Sequence, residues 1–216
     1  HGDLGGVPRG EQGVGRLSLG EAQPGTAAVA DPATSRPSTR ANLAALTVLE
    51  QLRAHGREAS VEEAAVLRGW RSWGALPHVF EPGNAVGVRL RQLLTRDEMR
   101  AAARTTTNAH YTDPRYAAAI WETVAALGFD GGQVLEPGCG SGIFLDTAPV
   151  GAHVTGIEVD PVTAQIASRL HPGSTIRAES FADTPLPDNS FDLAIGNVPF
   201  ADVTLHDPRH NPGRLS

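Results

Sequence analysis

Asn197, Pro199 and Phe200 close the stretch FDLAIGNVPF, residues 191–200. An asparagine, a turn-fixing proline and an aromatic ring just past a strand-like run form a set suited to one difficult task. The amino group of an adenine or a glutamine is a poor nucleophile because its lone pair is delocalised. Two acceptors that hold the NH2 group can turn the lone pair toward an electrophilic methyl. The Asn197 side-chain oxygen and a carbonyl in the Val198-Pro199 turn could be those acceptors, since proline fixes the turn and adds no competing N–H. Phe200 could stack on a planar substrate such as a flipped base. The plain alternative is a turn with a hydrophobic plug.

Two further stretches carry ligand-binding chemistry. In QVLEPGCGSGIF, residues 133–144, a strand runs through Glu136 and Pro137 into Gly138, Gly140 and Gly142. Glycines there permit a tight turn and close approach of a ligand to the backbone. A carboxylate beside that loop suits a ligand with an ammonium group better than a pyrophosphate. A nicotinamide site and an ordinary strand-to-helix turn are the competing readings. In VTGIEVDP, residues 154–161, a second strand ends on Glu158, about 20 residues after the glycine loop, where an acid reaches ribose hydroxyls. Val159 and Asp160 follow where an adenine ring would lie. Asp160-Pro161 also reads as a helix cap.

The elements that must position these residues follow from texture. Residues 1–40 are rich in Gly, Pro, Ala and Ser and read as a flexible leader. Residues 41–104 read as helical: Leu43, Leu46, Val48-Leu49 and Leu52 form one stripe, and Ser60 with Glu63 forms a capping box. One or two more helices are expected in GVRLRQLLTRDEMRAAAR. Residues 105–216 alternate helix and strand. Helices are expected near 114–127, 142–148 and 161–170, with strands near 133–136, 153–158, 175–178 and 191–196. The pattern predicts a parallel α/β sheet with helical crossovers.

Composition bounds the partners. The 216 residues carry 24 acids and 18 basic residues, every one an arginine, for a net charge of −6. The absence of lysine reads as a coding bias. Residues 41–104 hold nine arginines against seven acids, whereas residues 105–216 hold five against thirteen. The α/β part is therefore a poor phosphate-binding surface by itself, and other segments must grip any nucleic acid. No apolar run reaches the roughly 18 residues of a membrane span. The lone Cys139 excludes an internal disulfide and fits a reducing cytoplasm.

The order LEPGCGSGIF, GIEVDP, GNVPF resembles the S-adenosylmethionine-dependent amino-methyltransferases, especially the gamma-class DNA adenine-N6 methyltransferases. Their (Asp/Asn)-Pro-Pro-(Tyr/Phe) motif stands here as Asn197-Val198-Pro199-Phe200. The resemblance covers roughly residues 105–205. It implies a Rossmann-like methyltransferase sheet, preceded by the small helical segment and incomplete at its C-terminal side. S-adenosyl-L-methionine is the implied cofactor, with no metal. Adenine N6 in DNA is the implied target, and a glutamine or a ribosomal RNA amine is the alternative. Tyr111 and Thr112, in NAHYTDPRY, would line the methionine end, with Thr112 also read as a helix N-cap. In AESFAD, Glu179 or Ser180 would bind the cofactor adenine amine, with Phe181 against the ring and Asp183 as a substitute.

More broadly, ANLAALTVLEQL, GWRSWGALPHVF, LLTRDEMRAAARTTTNAHYT and GNVPFADVTLHDPRHN look like the start of large methyltransferase–helicase proteins of plasmids, phages and defence islands. Implied partners are therefore DNA, through regions beyond these residues, and a downstream helicase domain. Trp70, Trp73 and Pro77 would pack the helical segment onto the sheet. A full methyltransferase sheet has about three more strands than residues 105–216 can supply, so the chain is expected to be a fragment, or a truncated remnant that serves as a binding module.

Overall fold

A computed structural model of the chain describes residues 32–74, 76–106 and 112–197. Of the expected site residues, Tyr111, Pro199 and Phe200 lie outside the described residues.

Four helices form the front layer: α1 (Pro32–His55), α2 (Val61–Leu67), α3 (Ala85–Leu93) and α4 (Arg96–Thr105). The first begins ahead of residue 41, so the last nine residues of the stretch read as a flexible leader are helical. The α1 stripe is seated as its spacing predicts, with Leu46, Leu49 and Leu52 fully buried and Leu43 and Val48 at its margin. Burying each such leucine stabilises the layer by about 1.5–3 kcal/mol. The Ser60–Glu63 capping box is present, and Thr95 with Glu98 makes a second one at the start of α4. Each satisfies two backbone N–H groups that a helix start otherwise leaves unpaired.

The remainder is a parallel sheet with order β3-β2-β1-β4, made of β1 (Gly132–Pro137), β2 (Ala152–Glu158), β3 (Thr175–Ala178) and β4 (Leu193–Ala194). Helices α5 (Pro114–Ala126), α6 (Ile143–Asp146) and α7 (Pro161–Leu170) flank it. Val134 lies opposite both Val154 and Leu193, so β1 is central and buried, as its apolar run requires. The chain steps outward from β1 to β3 and then returns to the other side of β1. A cleft opens at such a reversal, outside the carboxyl ends of the strands.

Three expectations shift. β4 is regular over two residues only, although Asp192 N–H to Gln133 C=O (2.8 Å) and Ile195 N–H to Leu135 C=O (2.9 Å) extend its pairing on both sides. Asp113, not Thr112, caps α5: its carboxylate accepts the Arg115 N–H at 2.9 Å, with Pro114 filling the first helical position. The tryptophans pack on α7 rather than on the sheet. Trp70 and Trp73 meet edge to face at 4.8 Å and share a core with Val162 and Ile166 of α7.

Candidate cofactor and substrate cleft

Glu136 stands at the carboxyl end of β1, 2% exposed, with its Oε2 lacking any hydrogen-bond partner. Its strand makes it buried, and its neighbours are chosen to make room. Gly156 lies opposite it on β2, where a Cβ would come within 2.7 Å of Cys139 Sγ. A Cβ on Gly196 would come within 3.6 Å of Glu136 Cγ. Burial first, and the nearby Glu158 second, push the Glu136 carboxyl up to about 9. An orphaned acid in such a place fits a cationic ligand group that would restore its charge. The same burial pushes the Cys139 thiol up, so that side chain is inert packing.

The glycine loop follows Glu136. Gly138 and Gly140 adopt left-handed backbone angles, φ +70° and +55°, and a Cβ at either would meet nothing within 4 Å. Both thus present bare backbone to open space, a cradle that side chains would fill. The loop is tied to β2 by Gly138 N–H and Cys139 N–H, both donating to the Ile157 carbonyl. Gly142 is required for a different reason: a Cβ there would lie 2.5 Å from His171 Nε2. Burial depresses the His171 imidazole, while Asp146, 3.8 Å from its Nε2, opposes this.

Glu158, at the end of β2, accepts the Gly140 N–H on Oε2 (2.9 Å) and the Asp160 N–H on Oε1 (2.8 Å). Burial raises its carboxyl, and these two donors pull the other way. A carboxylate has about four lone-pair sites, so both oxygens keep capacity for ribose hydroxyls. Val159 beside it is 57% exposed, and Phe181, past the end of the neighbouring β3, is 48% exposed. Two large apolar groups left in solvent at the same end of the sheet suit the faces of a ring.

The other expected residues are placed differently. The Asp160 side chain is buried away from solvent. It caps α7 through Thr163 N–H (3.2 Å) and Oγ–H (2.5 Å) and accepts the Trp73 indole N–H at 3.0 Å. Glu179 is paired with Arg177. Ser180 makes no side-chain cap to the short turn Phe181–Asp183 that follows it.

Asn197 closes the cleft from β4. Its amide donates to Thr112 Oγ at 3.1 Å, which leaves its carbonyl oxygen available as an acceptor. Thr112, Glu136, Gly138, Ser141, Phe144 and Asn197 line a cavity of about 50 Å³. A wider hollow of about 590 Å³ lies along α5, lined by Thr112, Tyr116, Ile120 and Asn197, with Tyr116 67% exposed. Residues separated by up to 85 positions thus meet at the strand reversal. The Thr112–Asn197 contact, Ser141 in the cavity wall and His171 beneath Gly142 have no local signal in the sequence. Among the described residues, no cluster of His, Cys, Asp or Glu could hold a metal ion, and no helix is long and apolar enough to cross a membrane.

A family model described as a methyltransferase domain matches residues 135–210. Defense against restriction protein B of Escherichia phage P1 is 38% identical over 93 residues, which cover 42% of this chain and 4% of that protein. The chain therefore spans a small fraction of the curated relative that it matches. A type I restriction-modification methyltransferase subunit from Streptococcus thermophilus is similar in structure, at 17% identity and TM-score 0.40, covering 79% of this chain and 48% of that one. An amino pentose methyltransferase from Micromonospora echinaspora, solved with S-adenosylmethionine bound, is 26% identical with TM-score 0.36, covering 48% and 43%. With the parallel sheet and the glycine cradle, the match over residues 135–210 makes this a Rossmann-like methyltransferase fold, whose cofactor is S-adenosylmethionine.

Proposed function

We propose that the chain carries out S-adenosylmethionine-dependent methyl transfer to an exocyclic amino group, adenine N6 in DNA. The observation that carries this reading is Asn197: an acceptor oxygen at the end of β4, oriented by Thr112 and lining one cavity with Glu136. Glu136 would hold the ammonium end of the cofactor, the bare backbone at Gly138 and Gly140 would admit it closely, and Glu158 would accept the ribose hydroxyls. Val159 and Phe181 would flank the adenine. Bound there, the cofactor supplies an electrophilic methyl on a sulfonium sulfur.

The Asn197 oxygen would accept one hydrogen of the target amine, and the Val198 carbonyl the other, which turns the nitrogen lone pair toward the methyl. The oriented lone pair would face that methyl, and the proton that the amine loses on transfer would pass to solvent. Tyr111 at the methionine end, Pro199 in the turn and Phe200 stacked on the base complete the assignment. Most of the acceleration would come from positioning and from excluding water.

Two observations support DNA as the carrier of the amine. The matched phage protein is named for defence against restriction. The outer face of α4 carries exposed Arg96, Arg100 and Arg104 at four-residue steps, about 6 Å apart along the helix. Arg100 is paired with Asp97, while Arg96 and Arg104 make no ion pair among the described residues. Such a row fits a phosphate backbone, which the acidic sheet part does not. The same reading places the protein in the cytoplasm, with a helicase downstream in the parent protein.

Expression of the parent reading frame, followed by mass spectrometry of nucleosides and host proteins, tests this. N6-methyladenine that vanishes with Asn197→Ala is the expected result. Methylated glutamine or ribosomal RNA with unmodified DNA would overturn the adenine assignment.

A further inference from the structure

We propose that Trp73, from the helical layer, is a positioning residue for Glu158, so that the layer in front of the sheet helps to build the ribose site. The inference rests on the cofactor reading above and deepens it. Two hydrogen bonds connect the two residues through Asp160, and a third ties Glu158 to the glycine loop. The Trp73 indole N–H donates to Asp160 Oδ2 at 3.0 Å, the Asp160 backbone N–H donates to Glu158 Oε1 at 2.8 Å, and Glu158 Oε2 accepts the Gly140 N–H at 2.9 Å. One turn thereby fixes both the carboxylate and the glycine loop.

The contact exceeds what capping α7 requires. A cap needs only an acceptor for the backbone N–H three residues on, and Asp160 already takes that N–H and the hydroxyl from Thr163. The third donor is delivered from 87 residues away, by a side chain that is 0% exposed. Trp70 supports it indirectly: its indole N–H donates to Thr163 Oγ at 3.0 Å, and that hydroxyl donates to the same Asp160 oxygen that Trp73 reaches. Asp160 is 1% exposed, and its Oδ1 has no partner. Without the Trp73 donor, the carboxylate loses one of three hydrogen bonds and is drawn toward water. Its own backbone N–H moves with it, and Glu158 loses one of the two donors that orient it.

Trp73→Phe in the full chain keeps an aromatic ring against Trp70 and Phe80 but removes the N–H together with one of the two fused rings, a loss of packing that should weaken both ligands alike. Calorimetry would compare S-adenosylhomocysteine with its 2′,3′-dideoxy analogue, which lacks the ribose hydroxyls. The expected result is an affinity for S-adenosylhomocysteine that falls about tenfold further than that for the analogue, the scale of one hydrogen bond to a charged group. The preference for the hydroxylated ligand then shrinks by the same factor. An equal loss for both ligands, or no loss, overturns the proposal, because a merely structural role cannot single out the ribose. If Trp73→Phe fails to fold, a benzothienyl analogue of tryptophan at position 73, with sulfur in place of the N–H, preserves the shape and carries the same test. Failure of the unaltered protein to bind S-adenosylhomocysteine would instead remove the cofactor reading itself.

Discussion

Cofactor binding is expected to release a proton from Glu136. In the free protein, burial and Glu158 hold this carboxyl up at about 9, so it is protonated at pH 7. The groups that face it are Glu158 and the Cys139 thiol, with neutral Ser141 and Asn197 in the cavity wall. Pairing with an ammonium requires the carboxylate. Deprotonating an acid two units above ambient pH costs about 2.7 kcal/mol, a cost that falls by about 1.36 kcal/mol per pH unit. The affinity for S-adenosylhomocysteine should therefore rise about tenfold per unit, or roughly thirtyfold from pH 6 to 7.5. Titrations in two buffers of different ionisation enthalpy should report about one proton released per ligand at pH 7. Glu136→Gln should flatten the profile and abolish the release. The free protein should show the converse trend. The folded-state value is raised from 4.5, so the native state holds the extra proton between there and about 9, and this group's stabilisation is lost as pH rises through that window. A dissociation constant that stays level from pH 6 to 7.5, with no buffer-dependent heat, would refute the proton argument.

Asn197→Ala should leave S-adenosylhomocysteine affinity unchanged while single-turnover methyl transfer falls about 100-fold or more, as for a lost donor or acceptor at the reacting group. Gly140→Ala forces a left-handed angle on a side chain, at about 1–2 kcal/mol in a denaturant melt. Its larger effect should be loss of ligand binding in calorimetry, because the new methyl fills space that is open in the free protein. Replacing Arg96, Arg100 and Arg104 together by glutamine should weaken binding to duplex DNA of any sequence in gel-shift titrations, and should lower the salt slope by about one per arginine.

Much of the sheet is legible because β1 and β2 are short apolar runs ending on acids, and because Asp160-Pro161 announces α7. The full span of α7 is read correctly for that reason. β4 is shorter than its apolar run: only Leu193 and Ala194 are in regular register, with single ladder bonds from Asp192 and Ile195 on either side before Gly196 ends it. Thr112 was a plausible cap by type, but Asp113 stands directly before the proline that opens the helix and takes the role. Within the cleft, Glu136, Gly138, Gly140 and Glu158 could be read from strand ends and spacing. The Thr112–Asn197 bond could not, because nothing local in either stretch encodes an 85-residue closure. The Trp73–Asp160 bond was hidden in the same way: indole spacing predicts burial but not which acceptor an N–H finds.

α7 serves two cores at once. Val162 and Ile166 lie among the leucines of α1, while the helix also packs against β2 and β3. Arg53 of α1 reaches both Gln165 (2.7 Å) and the buried Glu98 (2.5 Å), and Arg169 donates to the Arg57 carbonyl at 3.0 Å. A helix held on both sides cannot release one neighbour without exposing apolar surface to the other. Hydrogen exchange should therefore find the amides of α1, α7 and β2 opening at a single rate, as one cooperative unit. Cutting the chain near residue 104 to isolate the sheet would leave the Val162–Ile166 face bare, and the product would be expected to aggregate rather than to behave as a smaller domain.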